Sequence, residues 1–386
     1  MDSITRRETL LRRWHFVIDP MRDFNRQVHV TDAMSYTQCR RRWNWASMMR
    51  EGLQPAVIPV PLFEGQGVHV ALDKYYSHPP EERTSDVLID AFQDWVRRRT
   101  KKIQEYTGPL WSSDKEAIRD VYLRGSKVLM HYYLWAQPFD EDLRFVSTEQ
   151  RFSVPVPVGG KLAARDSDVT LSGRFDGVVE DVRSGDYYLM EYKTTKSLYN
   201  LKWITKNLQS DLYVWAAKQL YGDRVKGIIY RGIVKRVPDD LIPLQQPGMY
   251  SQKQSQRTSL EWAKMSLEIA AIEEGIDVQE MFQAHAKLLT YLNTQSNPFF
   301  QQLPKSKSPE QLERALITIY WLGQQMMDPN VLIFPTTGWW CGSCPFFDVC
   351  TLMDEGGDWQ GLLETEFAPR SYWEDLDDEE DTNEAS

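Results

Sequence analysis

The sequence has no long apolar run, and that absence narrows the classes of protein to which it can belong. No apolar stretch approaches the roughly 18 residues of a membrane-spanning helix. The segment Met1–Glu8 lacks the apolar core of a signal peptide. Four cysteines are present among 386 residues. We therefore expect no membrane partner and a cytoplasmic, reducing environment, in which cysteines ligate metals more often than they form disulfides.

An excess of positive charge is also missing, because the formal net charge is −10. Eight acids and no bases lie within Glu374–Ser386, and without them the net charge is about −2. We expect residues 371–386 to form an acidic, disordered tail. Basic clusters elsewhere are either solvated helix faces or a groove that binds phosphates. They lie at Arg40–Arg42, Arg97–Lys102 and Arg231–Arg236.

The hydrophobic periodicity changes from helical to strand-like and back along the chain. This order predicts one α/β core, a small mixed sheet flanked by helices, with helical additions. A turn at Arg183–Asp186 predicts a hairpin. The spacing predicts helices over 32–51, 65–76, 85–137 (broken at 108–109) and 201–221, strands over 145–158, 168–180, 186–194 and 225–237, and mostly helix over 240–330 with a loop at 297–309.

Five regions follow from this pattern. They are an N-terminal helical region with Cys39 and His69 (1–140), the α/β core (141–240), a helical region (241–335), a cysteine segment (336–370) and the acidic tail (371–386).

Acidic residues on two neighbouring predicted strands form the first candidate site. Glu191 and Lys193 are two apart on one strand and project to the same face, whereas Tyr192 offers only its backbone carbonyl. Asp176 lies on the other hairpin strand, so its carboxylate can meet that of Glu191. Such hard oxygen ligands suit Mg²⁺ or Mn²⁺. Taken alone, a Glu-x-Lys strand is usually a solvated face, and an Asp before Gly is usually a turn residue.

The cysteines form the second candidate site. Cys341, Cys344 and Cys350 are clustered, whereas Cys39 lies about 300 positions upstream. Zinc ribbons usually bring two close pairs, so this spacing fits zinc poorly. A 4Fe–4S cluster needs four thiolates and accepts irregular spacing. The pattern therefore favours an iron–sulfur cluster that joins the first helical segment to the last.

Together, these motifs resemble those of RecB-like PD-(D/E)XK nucleases, specifically the iron–sulfur branch with the fourth CRISPR-associated nuclease family, AddB-type domains and phage relatives. The resemblance runs from Cys39 to Cys350, although residues 240–330 match nothing in it. It implies a restriction-endonuclease-like core in a bacterial, archaeal or phage-infected cell. It also implies metal-dependent DNA cleavage, on single strands or duplex ends, with the cluster as structural support.

The resemblance adds roles that the residues alone do not give. His69, in a G-x-x-x-H element at the start of a predicted helix, would ligate the metal, although a lone histidine there is more often structural. Gln209 and Tyr213 would form a Q-x-x-x-Y element that faces the site and its DNA. Glu149, on the strand before Asp176, would have a supporting role.

Three functions remain open. The leading hypothesis is an active DNA exonuclease. The alternatives are an inactive nuclease-fold subunit, which binds DNA or acts as a scaffold in a recombination, repair or CRISPR-adaptation complex, and a zinc-stabilised structural protein. The sequence has no phosphate-binding Walker A motif, so a helicase would have to be a separate partner.

Overall fold

A six-stranded mixed sheet lies at the centre of the computed structural model, which describes residues 27–57, 59–162, 164–198 and 206–370. The predicted tail, 371–386, lies outside these ranges. A separate pair is formed by β2 (Leu53–Pro55) and β8 (Phe367–Pro369). The sheet strands are β1 (Gln27–His29), β3 (Leu143–Pro157), β4 (Asp166–Asp181), β5 (Tyr187–Thr195), β6 (Val225–Val234) and β7 (Phe300–Ser306).

Twelve α-helices surround the strands in the described residues, and none of them is both long and apolar enough to cross a membrane. They are α1 (Val30–Gln38), α2 (Arg40–Ala46), α3 (Val60–Ser77), α4 (Ser85–Thr107), α5 (Ser112–Asp140), α6 (Leu208–Tyr221), α7 (Leu260–Glu274), α8 (Val278–Ala284), α9 (Ala286–Thr294), α10 (Pro309–Met326), α11 (Phe347–Asp354) and α12 (Trp359–Glu366).

Strand β4 organises the sheet because it has neighbours along both edges. Strand β3 pairs antiparallel with almost its whole length. On the other edge, β5 pairs antiparallel with Gly177–Glu180, and β1 pairs parallel with Thr170–Ser172. The stretch 173–176 lies between these two ladders, where β5 leaves β4. Strand β5 continues as a parallel partner of β6, and β7 closes the edge antiparallel to β6.

Helices cover the sheet on both faces. Apolar residues of α3, α4 and α5 pack with Met190 and Tyr192 in one core cluster. Helices α1, α6 and α10 pack on the other face with Phe175, Leu189 and Tyr230. The two residues of β5 at positions 189 and 190 thus lie in different clusters, as strand alternation requires.

The four predicted strands correspond to β3, β4, β5 and β6, whereas other elements differ or were not predicted, among them β2, β8, α11 and α12. The helix predicted over 201–221 begins at Leu208 as α6, and its residues 201–205 lie outside the described ranges. The helix predicted over 32–51 is two helices, since Cys39 between them is extended (φ −158°, ψ 114°). Strand β1 has no counterpart among the predictions. The loop predicted over 297–309 contains β7, whose polar sequence and Pro304 conceal a strand that only an edge position tolerates.

The connection from β6 to β7 is a helical insertion, residues 235–299, built on α7, α8 and α9. It has a core of its own, centred on Leu267, Met281 and Leu288. Helix α7 meets α5 where Trp262 contacts His131 edge-on, at 4.6 Å between ring centroids. The insertion is therefore a small attached unit rather than part of the sheet layers.

The chain after α10 returns to the N-terminal helices. Arg41 N–H donates to the carbonyl of Phe334 at 3.1 Å, and Phe346 packs beside Trp45 in a fourth core cluster. Pairing of β2 with β8 completes this contact. The first described helices and the cysteine segment are thus neighbours in space.

Candidate active site

Three carboxylates occupy facing positions on three adjacent strands. Glu149 on β3 lies opposite Asp176 on β4, between the ladder pairs Thr148–Gly177 and Gln150–Phe175. The β4–β5 ladder ends at Gly177–Met190, one step before Asp176 would face Glu191. At that step Asp176 Oδ2 accepts from the Tyr192 N–H at 2.8 Å. The Asp176 carboxylate therefore accepts from a β5 backbone N–H at the point where the β4–β5 ladder ends.

The backbone bends at this row. Glu149 has φ +44°, and it is the one non-glycine residue with positive φ among those described. On β4, Phe175 and Val178 belong to the same core cluster although they are three residues apart. A regular strand would point them to opposite faces. The alternation of β4 therefore shifts phase around Asp176.

Two glycines let helix α3 pack closely, Gly65 against β5 and Gly67 against α4. A Cβ on Gly65 would lie 3.0 Å from Thr194 Oγ1, and one on Gly67 would lie 2.8 Å from the rings of Phe92 and Trp95. His69 follows one turn after Gly65, and its Nδ1 lies 3.5 Å from Asp176 Oδ1. The small residues of the G-x-x-x-H element thus allow the imidazole to reach the carboxylates.

These residues form a candidate metal site. One ligand atom each from His69, Glu149 and Asp176 lies within 4.8 Å of the other two, the one such trio of His, Cys, Asp or Glu within the described residues. Arg174 Nε forms an ion pair with Glu149 Oε2 at 2.5 Å. This arginine partner was not predicted from the sequence, although Arg174 is only two residues from Asp176.

Glu191 is buried among three predicted partners. Lys193 Nζ lies 2.5 Å from Glu191 Oε1, on the face that strand alternation predicts. Gln209 Nε2 donates to the same oxygen at 3.3 Å. Tyr213 is only 4% exposed and packs edge-on against Phe175. The structure therefore brings Gln209 to the carboxylate and places Tyr213 behind it, away from solvent.

Charges within the site compensate one another. Burial raises the pKa of Asp176, but His69, Lys193 and the Tyr192 N–H together hold this pKa below its ordinary value. Burial and the neighbouring Asp176 raise the pKa of Glu191 despite Lys193. Burial lowers the pKa of His69, but Asp176 and Glu149 together raise it above its ordinary value. Burial raises the pKa of Glu149 to about 8, even beside Arg174.

Tyr192 lies between Glu191 and Lys193 on β5, and its side chain points to the other face of the sheet. Its ring lies 2% exposed in the core under α3, opposite the side chains of Glu191 and Lys193. Its N–H is used by Asp176. Metal ligation through its carbonyl stays a prediction.

The four cysteines lie near one another, and none of them is in a disulfide. Cys39 Sγ accepts from the Thr336 N–H at 3.4 Å, and Cys341 Sγ lies 3.9 Å from the Thr336 carbonyl. Arg41 Nη1 donates to Cys350 Sγ at 3.2 Å. Burial raises the pKa of Cys344, which also senses the thiols of Cys39 and Cys341.

Two further features were not foreseen from the sequence. Arg231, assigned above to a basic cluster, is fully buried and so belongs neither to a solvated face nor to a phosphate groove. Its position within the otherwise largely apolar strand 225–234 could have indicated that Arg231 is buried. A cavity of about 340 Å³ lies between α5, α7, α9 and β7 and contains none of the candidate residues.

The comparisons with known proteins come from families and solved structures, since no curated protein matches the chain. A solved structure titled "Crystal structure of SSO0001" is 14% identical to this chain. The match covers 76% of this chain and 96% of that one, with a TM-score of 0.27, and we infer nothing from it. The profile of the PD-(D/E)XK nuclease superfamily matches residues 28–351. This chain therefore belongs to the PD-(D/E)XK nuclease superfamily.

Proposed function

We propose that this chain is a divalent-metal-dependent DNA exonuclease of the RecB-like iron–sulfur branch, acting on single strands or duplex ends. The observation that carries the proposal is the convergence of His69, Glu149 and Asp176 beside Glu191 and Lys193. These five residues come from one helix and three strands, so the fold, and not closeness in sequence, brings them together.

The donor set fits Mg²⁺ or Mn²⁺. Carboxylate oxygens are the ligands that both ions prefer, and an imidazole is a further ligand. Asp176 and Glu191 would hold the ion with His69, and Glu149 would support it. The cations of Arg174 and Lys193 pair with Glu149 and Glu191, which favours the charged form of these carboxylates beside the site. When bound, the ion would lower the pKa of a water molecule and neutralise charge on the phosphate.

Lys193 would serve the hydrolysis itself. The oxygen of water attacks phosphorus, the ester P–O bond breaks, and the leaving oxygen takes up a proton. An ammonium beside Glu191 can orient the water or stabilise the extra charge on the phosphate oxygens. Gln209 donates to the same Glu191 oxygen that Lys193 contacts, which restricts the position of the carboxylate.

We also propose that the four cysteines hold a 4Fe–4S cluster. Contacts of Cys39 and Cys341 with the same residue, Thr336, support a shared site. Four thiolates on one zinc would be about 3.8 Å apart, given Zn–S bonds of about 2.3 Å. Among the described residues, no three of these sulfurs lie within 4.8 Å of one another. This wider spacing favours a larger group than a single zinc ion.

One cleavage assay tests the nuclease proposal. Linear end-labelled and circular single-stranded DNA are incubated with wild type, with and without Mn²⁺. We expect metal-dependent loss of the linear DNA, intact circles, and no cleavage by Asp176→Asn. Glu180→Gln is the matched control, because Glu180 lies on the same strand but pairs with Arg224 outside the site.

The other outcomes identify the alternatives. Cleaved circles would make the protein an endonuclease. DNA binding by wild type without any cleavage would support the inactive subunit and overturn the proposed activity.

A further inference from the structure

A fully buried arginine lies behind the catalytic strand. Arg231 on β6 donates through Nη1 to the hydroxyls of Tyr76 at 2.7 Å and Tyr132 at 2.9 Å. Its Nε donates to Gln302 Oε1 at 2.8 Å, and its Nη2 lies 2.7 Å from Asp140 Oδ1. We call these five residues the Arg231 cluster. A buried charge is tolerated only when it is paired in this way.

Tyr76 has the largest number of polar contacts among the aromatic members. Its hydroxyl donates to Asp140 Oδ2 at 2.9 Å and accepts from Arg231. It also lies 2.8 Å from the Tyr132 hydroxyl. One donor and two acceptor sites are all that a tyrosine hydroxyl offers. The position of Tyr76 is therefore fixed in every direction.

The cluster contacts strand β5 at Tyr192, on the face away from Glu191 and Lys193. Tyr76 stacks on Tyr192 with ring centroids 6.0 Å apart, and Tyr192 faces Arg231 across the β5–β6 ladder. Tyr192 lies between Glu191 and Lys193, whose side chains point to the opposite face. Arg231, Tyr76 and Tyr132 are buried, so any effect of the cluster on the site passes through other residues. On this face His69 lies edge-on to Tyr192, with ring centroids 6.2 Å apart.

Helix α3 connects the cluster with the metal site. His69 and Tyr76 are seven residues apart, which is close to two helical turns, so they share one face of α3. Among the five members of the cluster, Tyr76 alone lies on α3. At the other end of the helix, Glu64 accepts from Arg124 at 2.9 Å, and Gly65 allows close approach to Thr194. His69 lies between these two attachments.

We propose that the Tyr76 hydroxyl, held by Arg231 and Asp140, is a positioning group that sets the His69 imidazole beside Asp176 and Glu149 for metal binding. This inference rests on the proposed metal site.

The test compares two tyrosines that lose the same group. Tyr76→Phe and Tyr132→Phe each remove one hydroxyl bonded to Arg231, but only the first lies on the helix of His69. Mn²⁺ affinity is measured by calorimetry without DNA, together with the melting temperature. We expect Tyr76→Phe to weaken Mn²⁺ binding about tenfold, the size typical for groups that orient metal ligands. Tyr132→Phe should stay within about twofold of wild type.

A double-mutant cycle separates positioning from general destabilisation. In a His69→Ala background, adding Tyr76→Phe should cause no further loss of Mn²⁺ affinity, because the imidazole that it positions is gone. Equal Mn²⁺ affinities for the two Phe variants would overturn the positioning role. So would an undiminished effect of Tyr76→Phe without His69. If Tyr76→Phe does not fold, Asp140→Asn, which weakens the acceptor for the Tyr76 hydroxyl, replaces it in the cycle.

Failure of the metal site itself gives a different result. Wild type that binds no Mn²⁺, or His69→Ala that binds as wild type does, would refute the proposed site and the inference with it.

Discussion

The carboxylate row and the cysteine segment both gather residue types that can bind metals, but their surroundings differ. In the row, Lys193 pairs with Glu191, Arg174 pairs with Glu149, and the His69 imidazole lies beside Asp176. Among the four thiols, a direct cation contact is described for Cys350, from Arg41. The row is therefore ordered by the protein's own charges. The order of the cysteine segment depends more on the group that it would hold.

The largest expected effect comes from the row. Asp176→Asn and Glu191→Gln should reduce Mn²⁺-dependent DNA cleavage below detection, because each removes a charged ligand of the ion. The melting temperature of Glu191→Gln should stay at or above that of wild type, because burial and Asp176 disfavour the Glu191 charge. That of Asp176→Asn should fall, because the folded state favours the Asp176 charge. Cleavage assays and thermal unfolding check both parts. Full activity in either variant would refute its role as a ligand.

In the cysteine segment, substitutions should affect stability first and DNA cleavage second. Cys39→Ser should lose iron and lower the free energy of unfolding by about 5 kcal/mol, because a link across about 300 residues restricts the unfolded chain. Cys344→Ser should match it. Wild type purified without oxygen should contain about four irons and four sulfides. One equivalent of zinc in that protein would contradict the cluster.

Lys193 gives a test within the row. Lys193→Met should lower turnover about 100-fold, since it removes an oriented charge from a phosphoryl transition state. Mn²⁺ affinity should change little, because the carboxylates and His69 remain. Single-turnover rates and calorimetry separate these two effects. A wild-type rate would leave Lys193 as a counter-ion of Glu191 alone.

His131, which lies outside both regions, should add its own sensitivity to acid. Burial lowers the pKa of His131 to about 4; Asp240 opposes this shift and Lys127 adds to it. Between pH 6.5 and 4 the unfolded chain therefore binds the extra proton, so stability falls as the pH falls through that window. From pH 6.5 to 5 the loss is about 2 kcal/mol.

Urea unfolding at pH 7 and pH 5 measures this loss. Relative to wild type, His131→Gln should lose about 2 kcal/mol less on going from pH 7 to pH 5. His78→Gln is the control for removing a histidine. If His131→Gln remains as acid-sensitive as wild type, another group is responsible.

Strand alternation predicted much of the site from the sequence. The shared face of Glu191 and Lys193 and the turn at Arg183–Asp186 follow from local chemistry, and both occur in the structure. Features that depend on distant partners did not follow. Strand β7 is recognisable only beside β6, and the burial of Arg231 only beside Tyr76.

The bend at Glu149 shows the same limit. Its positive φ depends on the way in which β3 and β4 curve together, and no residue type near it signals a turn. Likewise, the break at Cys39 replaces what periodicity predicts as one continuous helix. Periodicity reports burial of a face, so it cannot detect a change of direction that tertiary contacts impose.

The helical insertion between β6 and β7 has a consequence for protein engineering. Ile233 and Phe300 are paired neighbours across the ladder, so the insertion begins and ends at almost the same point. A two- to five-residue hairpin turn could span that gap. Because Ile233 and Phe300 already pair, the helices of the insertion could be exchanged as a module that keeps Phe299, which is buried in the main core. Shortening it would also reduce the entropy cost of closing the loop by about 2 kcal/mol.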